Sequence, residues 1–489
     1  MAQATTDRVR LAYVPEVTFK TTPASPLFRL WRNKSQGLGG TPKSVVSEEI
    51  ISSREIADFI LVGKDVAGDV GGELIHDAYE EQMAGAYANA WVGGPRRWNA
   101  FAGQITAVSS SQYTVLAVTG EAFAEGMLVR ATGFTNAGNN RIFRAAATSS
   151  GTAVVVSGGT TEASPPVTAR LQVIGFAGAS GDVTATTTGL ASTVLDLTTL
   201  GLTVGQWLYA PGTADAFGTA AGNKFAGIPG GFLRISAIAA AAITCDIRPA
   251  GWTTDAGASK TIHVYGGKFL KNGTTRTSFT IERAFLDTDA VTYEYFTGSI
   301  MDKMSVSAKP QAIMEIGFSV LSAVHTLTET EASGATRTTI SSDDVMNTSS
   351  NVVELMEGGS SILAGPNFVL GMDFQINNNV RQGPGIGTLN YVVVNLGTFE
   401  VSGKVETYFA SKALLDKLLS QSETQLMQAV IDGDHHGLLF DFPNVKYGSG
   451  SPAVPGRNED VKVTLDFRAK RDPTLLYTAS VTQFESIGS

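Results

Sequence analysis

Four residues in the stretch IDGDHHGLLFDF, Asp432, Asp434, His435 and His436, are of the types that bind a divalent metal. Their spacing argues against a shared ion. Adjacent side chains on an extended chain point to opposite sides, so His435 and His436 should diverge. Gly433 and Gly437 frame a hairpin turn before the apolar run LLFDF. The stretch is read as a turn, with no metal. His76, His263 and His325 stand alone in the sequence. GASKT (257–261) lacks the glycine that a phosphate loop needs before its lysine, and GGTPKS (39–44) has a proline where the backbone must wrap a phosphate. There is no G-x-S-x-G elbow. The paired acids Glu80/Glu81 and Asp343/Asp344 read as solvated helix starts or turns. No catalytic set, metal site or cofactor is expected, and the chain is read as a non-enzyme.

The elements around these residues are mostly strands. In MEIGFSV, Met314, Ile316, Phe318 and Val320 alternate with Glu315, Gly317 and Ser319. In NFVLGMDFQIN, Phe368, Leu370, Met372, Phe374 and Ile376 fall on one face. TFEVSGKVETYF and DVKVTLDFRAK repeat the pattern through Phe399, Val401 and Val405 and through Val461, Val463, Leu465 and Phe467. One apolar and one polar face per strand implies antiparallel sheets packed as a sandwich or barrel. Two helices interrupt them. HDAYEEQMAGAYANAW carries an apolar stripe of Tyr79, Met83, Ala86, Tyr87 and Ala90, with Asp77 as its expected N-cap. SKALLDKLLSQS groups Leu414, Leu415, Leu418 and Leu419, with Ser411 as its expected cap.

Composition divides the chain. It has 489 residues, a net charge of −9 and 53 glycines. Residues 101–266 hold 16 of its 81 charged side chains, balanced in sign, so the acidity lies in the flanks. Such a balance opposes ordinary nucleic-acid binding, which needs a basic surface. The lone cysteine, Cys245, excludes an intrachain disulfide and reads as a buried small hydrophobe. The start MAQATTDRVRLAYVPE has no apolar signal-peptide core, and no window reaches the length of a spanning helix; a soluble protein made in a cytoplasm is expected.

The neutral segment contains a duplication. QYTVLAVTGEAFAEGMLVRATG (112–133) lies over ASTVLDLTTLGLTVGQWLYAPG (191–212) without a gap, matching Gly126 with Gly205 and Gly133 with Gly212. Both copies then run through a Gly/Asn-rich loop to an arginine, Arg144 and Arg234. Two diverged β modules, 101–175 and 176–266, are expected inside a discontinuous β domain of 1–100 and 267–489. Their neutral composition suggests a removable decoration.

The flanks resemble the tail tube proteins of long-tailed bacteriophages. SEEIISSREIADFILVGKDVAGDVGGELIHDAYEEQMAGA is similar to that family's early block, an Arg-x-Ile-x-Asp segment, a Gly-Asp strand and a helix. RTSFTIERAFLD, YEYFTGSIMDKMSVSAKPQAIMEIGFSVLSA, NNNVRQGPGIGTL and FEVSGKVETYFASKALLDKLLSQSETQL follow in the family's order. The resemblance implies a β-sandwich or barrel with a packed helix. It also implies a structural virion protein, assembled in the host cytoplasm, whose hexameric rings stack into a hollow conduit for DNA. It implies itself as main partner, the tape measure and tail terminator or tip proteins as further ones, and DNA that passes without specific binding. In the family a long early loop reaches the next ring. Here that loop lies within Gly37 to Val62, and Arg54, Ile56, Asp58, Phe59, Ile60 and Leu61 are the expected stacking contact. The opposing expectation is that Ile56 to Val62 packs in its own subunit. RNKSQGLGGTPKS, at the loop's start, reads as flexible. The alternative to a tube protein is another β-rich virion or surface adhesin, whose Trp207, Trp252 and Tyr265 would stack on sugar rings.

Overall fold

The computed structural model describes residues 4–53, 55–363, 365, 368–454 and 456–488. The flanks supply one 19-stranded, largely antiparallel sheet. Two strands of 17 residues explain how so large a sheet makes a core. Thr292–Ala308 pairs first with Phe279–Phe285 and Val324–Thr328, then with Glu315–Leu321 and Val369–Asn377. Gly437–Ala453 pairs first with Thr424–Ile431 and Ser480–Phe484, then with Lys462–Ala469. Each strand turns a corner and serves two layers, so the sheet folds over its own apolar face as a sandwich. Among the described residues the strand path stays open and does not close into a barrel.

The alternating strands bury what their period dictates. Met314, Ile316, Phe318, Val320, Val401, Val405, Val463, Leu465 and Phe467 all join the central core. Phe368 and Leu370 do not follow Met372, Phe374 and Ile376 inward, because a register shift between Val369 and Gly371 breaks the alternation. The first helix, Glu80–Tyr87, buries Met83, Ala86 and Tyr87. It stops at Ala88, which takes a left-handed conformation, so Ala90 lies outside it and is exposed. Its N-cap position is Tyr79, while Asp77 accepts a hydrogen bond from Ser341. The second helix, Ala413–Ser420, has Lys412 at its cap position and buries Leu414, leaving Leu419 exposed. Among the described residues no helix is long and apolar enough to cross a membrane.

The middle segment forms its own sheets, of ten and three strands. Met127–Thr132 lies between Ile142–Arg144 and Arg170–Ala177, and Trp207–Pro211 lies between Gly230–Ala239 and His263–Tyr265. The same order thus recurs in the two duplicated stretches. The strands Arg170–Ala177 and His263–Tyr265 then pair antiparallel and join the two. Gly126 and Gly205 enter equivalent strands at φ 82° and 93°, which keeps both positions glycine. Arg96–Trp98, just before the expected boundary, already pairs within this sheet.

The segment is not a loosely attached decoration. Trp207, Tyr209, Phe232 and Tyr265 share a buried cluster with Met356, Met427, Leu439, Phe484 and Ile487 of the flanking domain. The strand Thr424–Ile431 is accordingly buried on both faces, one toward the main core and one toward the insertion.

Candidate functional site: an exposed apolar arm

The antiparallel strands Gly39–Val46 and Phe59–Glu73 form a ribbon. Val46 faces Phe59 and Val45 faces Ile60 near its tip. Ser47 N–H donates to the Asp58 carbonyl at 2.9 Å, and the Asp58 carboxylate accepts from Phe59 N–H at 2.7 Å, closing the end of the ladder. The base of the long strand is held by Glu315–Leu321, register Ala67↔Leu321 through Glu73↔Glu315. Beyond Ala67 the ribbon leaves that sheet.

The sequence explains the change. From Val66 to Leu74 the strand alternates apolar and polar, and Val66, Val70 and Leu74 are buried. From Phe59 to Val62 it is apolar at every position, on both faces, and the described residues leave it exposed. Ile56 is 58 % exposed, Phe59 65 %, Ile60 52 % and Leu61 47 %. Val45, Val46, Ile50 and Val62 are exposed beside them. Asp58 is exposed at the tip; Arg54 lies outside the described residues. Packing of Ile56 to Val62 into the subunit's own core is therefore not what the fold does.

The Gly-rich start is ordered rather than flexible. Ser35–Gln36 and Gly39–Val46 both pair with the long strand. The glycines there permit close approach: a Cβ on Gly68 would lie 2.3 Å from the Gly37 carbonyl oxygen. A second hairpin, Arg381–Gly383 with Val393–Asn395, leans on the arm's base. Lys64 N–H donates to the Leu389 carbonyl at 3.1 Å, and the Tyr391 hydroxyl donates to Asp65. Tyr391 and then Lys43 hold the Asp65 carboxyl below its ordinary range. This hairpin exposes Ile386, Leu389, Val392 and Val393 beside the arm. The stretch NNNVRQGPGIGTL carries Ile386 and Leu389 among glycines with no period to read, so the sequence does not single them out.

The histidine-rich turn forms between Thr424–Ile431 and Gly437–Ala453, and its left-handed residue is His435, at φ 65°, rather than either glycine. Its histidines diverge: His435 packs edge-on to Phe217 and His436 stacks on His76 at 4.9 Å. His76 is buried, and Asp343 lies 3.6 Å from its Nδ1. Burial pushes the His76 pKa down, but the Glu485 and Asp343 carboxylates outweigh it and the net direction is up. This grouping joins segments hundreds of residues apart and has no local sequence signal.

The aromatics offered for sugar stacking are poorly placed for it. Trp207 and Tyr265 are fully buried in the cluster that docks the insertion. Trp252 is half-buried and donates its indole N–H to the Thr186 carbonyl at 2.8 Å. Cys245 is buried, and burial pushes its thiol up to about 12.

No curated protein matches the chain. The family described as phage tail tube protein matches it twice, over residues 6–230 and 178–469, and the two matches overlap over residues 178–230. With nearly the whole length matched and a mainly β fold, the chain belongs to the phage tail tube protein family, whose members are structural components of viral tails.

Proposed function

We propose that this protein is the major tail tube subunit, closing into hexameric rings that stack into a hollow conduit for DNA. The observation that carries the reading is the arm. A ribbon with apolar side chains exposed on both faces costs about 1.5–3 kcal/mol per large residue relative to burial. A second copy supplies that burial along an axis that repeats without closing. Ile56, Phe59, Ile60 and Leu61 then provide contact area, and Asp58, with Arg54, sets register by charge pairing more than strength.

The conduit reading draws support from one polar sheet face. The strands Phe59–Glu73, Glu315–Leu321, Thr292–Ala308, Val369–Asn377, Glu400–Tyr408 and Lys462–Ala469 lie side by side. Their core-averted positions carry Asp69, Glu73, Glu315, Asp373, Glu400, Glu406 and Asp466 against Lys303, Lys404, Lys462 and Arg468. Lys404 is paired with Asp373 at 3.3 Å, which lowers its availability to phosphates. A smooth, net acidic face suits a wall past which DNA slides without adhering.

On this reading residues 1–100 and 267–489 are the tube domain, and 101–175 and 176–266 are two modules on the tube's outside. The role is structural rather than catalytic. Assembly takes place in the host cytoplasm, and tape measure and terminator or tip proteins are the further partners. Negative-stain microscopy of the purified protein tests the reading. Rings or rods are expected; a uniform population of monomers or trimers under assembly conditions would favour the adhesin instead.

A further inference from the structure

The histidine pair beneath the first module has a geometry that packing alone does not account for. One ring nitrogen each of His76 and His436 and an Asp343 carboxylate oxygen lie within 4.8 Å of one another. The Asp343 oxygen sits 3.6 Å from one imidazole nitrogen and 3.9 Å from the other, beyond hydrogen-bond length for both. His76 is 2 % exposed and its Nε2 has no hydrogen-bond partner. Asp432 stands beside His436: one oxygen is 3.1 Å from His436 Nδ1, while the other is fixed by the N–H groups of Asp434 and His436 at 2.9 and 2.8 Å. A polar cavity of about 230 Å³, lined in part by Asp343 and His436, gives a small ion a route in.

We propose that His76, Asp343, Asp432 and His436 bind a borderline divalent transition-metal ion, Zn²⁺ foremost. Two imidazoles and two carboxylates are a donor set suited to such ions. Four-coordinate bonds of about 2.0–2.2 Å place ligand atoms roughly 3.3–3.5 Å apart, so atoms now within 4.8 Å of one another close on the ion by up to about 1.5 Å. The ion ties together three segments distant in sequence: the end of the long arm strand, the loop carrying Asp343, and the 432–436 turn. The proposal is independent of tube assembly.

Arg130, on the first module, makes the proposal specific. Its Nη1 is 3.0 Å from His436 Nε2 and donates to the Glu485 carbonyl at 2.7 Å. Without metal, His436 carries its proton on Nδ1, facing Asp432, and accepts from Arg130 at Nε2. Metal at Nδ1 moves that proton to Nε2, and Arg130 must give up this contact while keeping Glu485. Arg130 therefore competes with the ion.

The test uses the full chain, stripped with chelator and titrated with Co²⁺, with Zn²⁺ as competitor. One Co²⁺ per chain with the visible bands of a four-coordinate site, displaced by Zn²⁺, is expected. Asp343→Asn should weaken binding about tenfold or more, and Zn²⁺ should raise the thermal midpoint of the wild type but not of this variant. Arg130→Met should tighten binding, a change that general loss of structure does not produce. His436→Gln checks the second ligand where folding, followed by circular dichroism, is retained. Absence of saturable Co²⁺ binding, unchanged binding in Asp343→Asn, or weaker binding in Arg130→Met would each overturn the site.

Discussion

Arg234 in the middle segment reaches Asp441 of the flanking sheet at 3.2 Å, and both side chains are buried. Arg234 also pairs with Asp246 at 2.7 Å, while Asp441 accepts from Tyr477 at 3.2 Å and Gln425 at 3.0 Å. Its counterpart in the duplication, Arg144, stays within the insertion, donating to Glu125 of its own module and to the Ala177 carbonyl just past that module's expected end. One copy of a repeated arginine thus anchors the insertion to the domain that carries it. Burial pushes the Asp441 carboxyl up, and Arg234 opposes that shift.

Arg234→Met removes the cation and leaves Asp441 buried without its partner. A loss of about 3–5 kcal/mol is expected by chemical denaturation. Pairing it with Asp441→Leu should recover much of that loss, because no buried charge is then left. A single variant as stable as the wild type would show that the pair contributes nothing to docking.

Removal of residues 101–266 behind a short Gly/Ser bridge uncovers Met356, Met427, Leu439, Phe484 and Ile487. Aggregation or a lowered thermal midpoint is expected on size-exclusion chromatography and circular dichroism. A monodisperse deletion protein melting like the wild type would return the insertion to the status of a removable decoration.

These two outcomes rest on what the sequence could not display. Strands with one wet face announce themselves by period, so Met314 to Val320 and Val463 to Phe467 were legible. Thr424–Ile431 was not: buried on both faces, TQLMQAVI has no alternation to read. The duplication was legible through Gly126/Gly205 and Arg144/Arg234, but the partner that Arg234 finds lies 207 residues away. Phe59 to Val62 announced an apolar segment, and only the fold shows that the described residues leave it exposed. The glycines of RNKSQGLGGTPKS suggested mobility, whereas they admit close strand contact. His76, Asp343 and His436 meet only through tertiary structure.

Acid should weaken the seam between the modules through His263. Burial holds its imidazole down to about 4, against an ordinary value of 6.5. The folded state thus binds fewer protons than the unfolded state between these values, and stability falls as pH drops from about 6.5 toward 4. The contribution is complete above pH 6.5. A loss on the order of 2 kcal/mol is expected, given partial exposure of the ring. In His263→Phe the dependence over this window should be shallower than in the wild type, as measured by denaturant midpoints at pH 7, 5.5 and 4.5. Parallel curves would remove His263 from the acid response.

The arm decides whether this chain builds a tube as proposed. Phe59 and Ile60 are exposed in the subunit, so Phe59→Ser with Ile60→Ser should leave folding within about 0.5 kcal/mol of the wild type. The same double variant removes two of the largest apolar side chains available for stacking, roughly 3–6 kcal/mol per contact if both are fully buried there. Tube length by negative-stain microscopy, read beside the circular-dichroism melt, is the measurement. An unchanged melt with single rings or free subunits, and no elongation, is the expected result; long tubes from a variant with that same unchanged melt would contradict stacking through the arm.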